Sequence, residues 1–79
     1  MSRLRFHYTV EGRGFRNTFK AEGVVEMDQG LPPKWLFERV SYLSFQQITG
    51  GKAVYGKPGV GCQGPYEIDR WLIEREKPQ

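Results

Sequence analysis

Along the first ten residues, Leu4, Phe6, Tyr8 and Val10 alternate with Arg5, His7 and Thr9. A period of two puts the apolar set on one side of a strand and the polar set on the other. The alternation resumes in "GFRNTFKAEGVVEM" after "EGRG". A two-residue turn at Gly12-Arg13 then pairs Glu11 with Gly14, Val10 with Phe15, Phe6 with Phe19 and Leu4 with Ala21. On the polar side the same register sets Arg5 opposite Lys20, His7 opposite Thr18 and Arg3 opposite Glu22. Both faces agree, and a slip by one residue would turn the rings toward water, so the pattern predicts a β-hairpin. The second strand runs as far as Met27, with a bulge or bend invited at Gly23.

From Pro33 to Thr49 the spacing changes. Leu36, Val40, Leu43 and Gln47 recur at helical intervals with Phe37, Ser44 and Ile48 beside them, which predicts a helix and its core stripe. Proline suits the first turn, and Gly50-Gly51 suits an end that needs a left-handed residue. "KAVY" reads as a short strand or extended segment. The glycine-rich stretch "GKPGVGCQGP" follows, and then "YEIDRWLIERE", which is ambiguous. Ile68, Trp71, Leu72 and Arg75 have helical spacing, whereas Trp71 and Ile73 alternate as in a strand. A strand is preferred, because Tyr, Ile and Trp favour strands and a hairpin with one helix is marginal alone; a short C-terminal helix is the alternative.

The expected architecture is therefore α+β: an antiparallel sheet led by the N-terminal hairpin, one helix packed across it, and a C-terminal strand. Residues 1–79 form one compact domain with a frayed tail at 77–79. Apolar residues are 38% of the chain and aromatic residues 14%, which is a globular composition with a core built from a few large rings. One cysteine and one histidine make neither an internal disulfide nor a zinc site. No apolar run approaches the ~20 residues needed to span a bilayer, so a soluble, cytoplasmic protein without a membrane partner is expected.

The net charge is +3, unevenly spread. Arg3, Arg5, Arg13, Arg16 and Lys20 stand against Glu11 alone in the first twenty residues, and Glu22, Glu26 and Asp28 follow. In the expected register the basic residues converge on the outward face and tip of the hairpin. Like-charged neighbours such as Arg5 and Lys20 destabilise one another, and an acidic partner or nucleic acid would relieve them.

No motif points to catalysis. "TGGKAV" and "GKPGVG" lack the glycine spacing and the hydroxyl of a phosphate loop, and Pro58 removes a backbone donor. Cys62 has no base near it in sequence, and His7 lies on the polar face of its strand. The carboxylate pairs Glu67/Asp69 and Glu74/Glu76 are interleaved with Arg70, Arg75 and Lys77, as in surface ion pairing. No catalytic, cofactor or metal site is expected. On the helix, Trp35, Arg39, Tyr42, Phe45 and Gln46 fall away from the Leu36 stripe, at 100° per residue. Trp, Tyr and Arg are the residue types that dominate contact energy at interfaces. Trp35, Arg39, Tyr42 and Phe45 are therefore the expected anchors for a protein partner, with Lys57 in the glycine-rich loop beside them.

In its size, its charged and aromatic surface and its want of an active site, the chain resembles small proteins of phages and mobile elements, including anti-CRISPR inhibitors. The resemblance implies inhibition by occluding a protein or nucleoprotein surface; the basic hairpin departs from the acidic DNA-mimic style within that group. The expected function is a small non-catalytic protein-binding module whose partner presents an acidic surface. The alternative is a nucleic-acid-binding domain using the basic hairpin face, and self-association as a homodimer is a further arrangement.

Overall fold

The computed structural model describes residues 3–50 and 62–77. Its elements are β1 (Arg3–Gly14), β2 (Asn17–Asp28), α1 (Pro33–Thr49), β3 (Cys62–Gln63) and β4 (Tyr66–Arg75). The strands form one antiparallel sheet in the order β2-β1-β4-β3, and α1 lies across one face. This is the α+β architecture that the sequence predicts, with the helix bounds as expected and the C-terminal segment a strand rather than a helix. "KAVY" and most of the glycine-rich stretch, including Lys52 and Lys57, lie outside the described residues, as do the last two residues of the tail.

The hairpin register differs from the expected one. The turn sits at Phe15-Arg16, so Gly14 pairs with Asn17, Val10 with Ala21, Phe6 with Val25 and Leu4 with Met27. The slip is six residues along β2, an even number, so the side chains within the two strands keep their expected faces. Gly12 and Gly14 are inside β1 because rings occupy the space that their side chains would fill. A Cβ on Gly12 would lie 2.6 Å from the Phe19 ring and 2.1 Å from the carbonyl oxygen of Glu67, and one on Gly14 would lie 2.2 Å from the Tyr66 ring. Gly23 likewise lies beneath Tyr8, its partner across the ladder. The turn itself falls on Phe15, whose φ of 43° is in the left-handed region that a ring-bearing residue rarely adopts.

Tyr8, Val10, Ala21, Val25 and Met27 from the hairpin, Leu36, Val40 and Phe45 from the helix, and Ile68 from β4 form the buried core. β4 contributes to it on both sides of a bulge. Gly12 faces Ile68 but Glu11 faces Arg70, which leaves Asp69 as the extra residue. The bulge reverses the alternation, so that Ile68 and Trp71, three apart, both point toward the helix. The helix-like spacing in this segment is the imprint of that bulge.

Helix α1 starts after Pro32 and ends at Gly50, which has φ 65° and donates its N–H to the Gln46 carbonyl. Its buried residues are Leu36, Val40, Ser41, Ser44 and Phe45, a stripe rotated by roughly 70° from the expected one. Phe45 is 1% exposed, and its ring centroid lies 6.4 Å from Phe19 and 6.5 Å from Tyr66. Phe37 and Gln47, expected inside, are exposed. Ser44 sits at the centre of the stripe without cost, because its hydroxyl donates to the Val40 carbonyl at 2.7 Å.

Candidate functional site

The corrected register rebuilds the surface chemistry of the hairpin. Arg5 faces Glu26, not Lys20, and Arg3 faces Asp28. Arg5 Nε lies 3.7 Å from Glu26 and 3.3 Å from Glu76, and Arg3 lies within 3.9 Å of both Glu26 and Asp28. Arg13 donates to Asp69 at 2.9 Å; that hydrogen bond first, and the charges of Asp69 and Glu67 next, hold its guanidinium pKa above the ordinary value. Lys20 faces Glu11, which in turn faces Arg70. Arg16 stands apart at the exposed turn. The like-charge repulsion expected across the hairpin is therefore absent, and Arg3, Arg5, Arg13, Lys20 and Arg70 each face or contact a carboxylate.

Extended across β4, the same face becomes acid-rich. Glu11, Glu22, Glu26, Asp28, Glu67, Asp69, Glu74 and Glu76 share the side of the sheet that α1 leaves open, and Glu38 on the helix is the ninth acidic residue of the chain. Five cations, Arg3, Arg5, Arg13, Lys20 and Arg70, stand among these eight carboxylates, a net of −3 on a chain that carries +3.

Two adjacent rungs at the middle of this face differ from the rest. One runs Glu22, Thr9, Leu72 and the next runs Val24, His7, Glu74, from β2 through β1 to β4. Val24 is 41% exposed and Leu72 53%, on opposite corners of the patch. Glu22 and Glu74 occupy the other two corners, both exposed, and neither enters an ion pair among the described residues. His7 is tethered at the centre, its Nε2 3.1 Å from Glu76 Oε1. The patch thus offers apolar contact at two corners and uncompensated negative charge at two, on a rigid three-stranded platform.

The residues expected to anchor a partner are divided by the fold. Phe45 is a core residue, which removes it from any surface. Trp35 is half-buried against the core. Arg39 and Tyr42 remain on the outer side of α1, the guanidinium 5.4 Å from the centroid of the tyrosine ring. Trp71 packs against Phe37, with centroids 5.5 Å apart.

Phe15, which the sequence reading paired inside the hairpin, is 79% exposed at its tip, its ring edge-on to Tyr66 at 5.6 Å. The signal that could have revealed the open-face patch is "EGVVEM", where Val24 breaks the alternation by following a glycine and preceding another valine. Cys62 is exposed on β3. Among the described residues no group of three His, Cys, Asp or Glu side chains could hold a metal ion, and no helix is long and apolar enough to cross a membrane. Comparison with protein-family models, curated proteins and solved structures finds no match.

Proposed function

We propose that this protein is a non-catalytic protein-binding module that docks a basic partner through the open face of its sheet. The observation that carries this reading is the central patch, where exposed Val24 and Leu72 alternate with the unpaired Glu22 and Glu74 around His7. Apolar side chains that no described element covers supply contact area, and unpaired carboxylates select the sign of the partner. The partner so described is the reverse of the acidic one that an all-basic hairpin would require. Binding acts by occupation, in the manner of the small phage inhibitors that the chain resembles.

The test is capture from nuclease-treated cell lysate with three baits: the wild-type protein, Glu22→Lys/Glu74→Lys, and Arg39→Ala/Tyr42→Ala. A basic protein held by the first and third baits, lost from the second and released by moderate salt supports the open face. Retention by the second bait with loss from the third moves the interface to the helix. Partners that vanish on nuclease treatment replace the reading with nucleic-acid binding.

A further inference from the structure

Strand β2 ends the sheet among the described residues, and one of its backbone positions is already occupied. Gln47, on the last turn of α1, reaches to Glu22. The Glu22 N–H donates to Gln47 Oε1 at 3.2 Å, and Gln47 Nε2 donates to the Glu22 carbonyl at 3.2 Å. Both backbone groups of one residue are thus held by a single carboxamide. That is the pair of bonds which a residue of an adjoining antiparallel strand makes in a hydrogen-bonded rung. Gln47 therefore acts as a one-residue stand-in for a neighbouring strand.

The clasp also fixes which groups face outward. Because both the N–H and the carbonyl of Glu22 point away from β1, the same holds for the residues two apart along β2. Lys20, Val24 and Glu26 thus present their backbone pairs to the edge that no other described strand occupies, on either side of the clasp. Four consecutive rungs of an incoming strand can form there if Gln47 gives way at one of them.

We propose that the β2 edge is a strand-docking site, latched by Gln47, for an extended segment of a partner that alternates basic and apolar residues. This rests on the protein-binding reading above and specifies where the partner's chain enters. Charge selects the occupant. On the open face the edge residues are Lys20, Glu22, Glu26 and Asp28, a net of −2, so lysines opposite them are favoured and a second copy of β2 is repelled. The other face of the edge is Ala21, Gly23, Val25 and Met27, of which Ala21, Val25 and Met27 are already buried in the core, so the apolar half of the alternation falls beside the core's margin. Main-chain bonds supply affinity, and the alternating side chains supply selection, as in other strand-addition complexes.

The probe is a capped seven-residue peptide, Lys-Val-Lys-Val-Lys-Val-Lys, titrated into the 15N-labelled protein, beside the same peptide N-methylated at every lysine. The expected result is that the unmethylated peptide shifts the amide signals of Lys20, Glu22, Val24 and Glu26 together with the Gln47 side-chain amide, and that methylation, which leaves charge intact, abolishes this. Gln47→Ala, checked for folding by circular dichroism, should bind about tenfold more tightly, since no latch has to open. Equal binding of the methylated peptide, with shifts at Glu22, Leu72 and Glu74, would overturn strand docking while leaving the open-face reading intact. Absence of any shift with the unmethylated peptide would overturn it as well. Dimerisation of Gln47→Ala in sedimentation would show that the edge accepts a second copy, against the occupant assigned here.

Discussion

The two faces of the sheet are made by the same three long strands, yet they are held by different physics. On the covered face, rings from four elements fill space that glycines vacate: Phe19 over Gly12, Tyr66 against Gly14, Tyr8 over Gly23, with Phe45 descending from the helix. On the open face, charges of opposite sign face one another across the ladder, with solvent on one side. Burial is non-directional and worth several kcal/mol per large side chain, whereas exposed ion pairs contribute little and fade with salt. The covered face therefore holds the fold, and the open face contributes little to it.

The sharpest way to break this contrast is at its strongest point. Phe45→Ala should destabilise the protein by about 3–5 kcal/mol in denaturant titration, because it leaves a cavity between Phe19, Tyr66 and α1. A loss below about 1 kcal/mol would mean that the rings are not the core. Next comes Gly12→Val, where the new side chain meets both the Phe19 ring and the Glu67 backbone; a loss of about 2–3 kcal/mol is expected in the same titration.

A pH titration probes the covered face differently. Burial raises the Tyr8 hydroxyl pKa above its ordinary value, since the phenolate cannot be hydrated there. The unfolded tyrosine ionises first, near pH 10, so stability should be complete below that pH and decline as pH rises from there through the raised folded value. The phenolate-band absorbance that Tyr8→Phe removes should develop only above pH 10. Its development at or below pH 10 would place Tyr8 in water.

Two further substitutions should have small effects. Phe15→Asn exchanges a ring for a residue that tolerates the left-handed region; relief of strain and loss of the Tyr66 contact nearly offset, leaving a change within about 1 kcal/mol. Arg5→Gln removes a partner of Glu26 and Glu76 on a half-exposed face and should cost about 0.5 kcal/mol, less still in high salt. If Arg5→Gln rivalled Phe45→Ala, the division of labour between the faces would be wrong.

Much of this fold can be read along the chain. Alternation placed Leu4, Phe6, Tyr8 and Val10 on the core side, and helix bounds followed from Pro33 and Gly50, because those signals are local and depend on each residue's own geometry. The turn was misread because Gly12 looks like a turn residue in sequence, while its use is to make room for Phe19, a residue seven positions on. The surface reading failed with it: whether Arg5 meets Lys20 or Glu26 depends on register alone. The aromatic anchors were divided for a related reason, since only the docking angle of α1 decides that Phe45 turns inward.

By itself, then, the sequence determined which residues alternate, where the helix begins and ends, and which side of each hairpin residue is apolar, since these are set by backbone periodicity and local conformational preference. Tertiary structure alone decided the six-residue register, the bulge at Asp69, the joining of eight carboxylates on one face and the reach of Gln47 to the β2 edge. Each of these joins residues distant in the chain, and such pairings are chosen by the volume of rings in a shared core rather than by any residue's own preference.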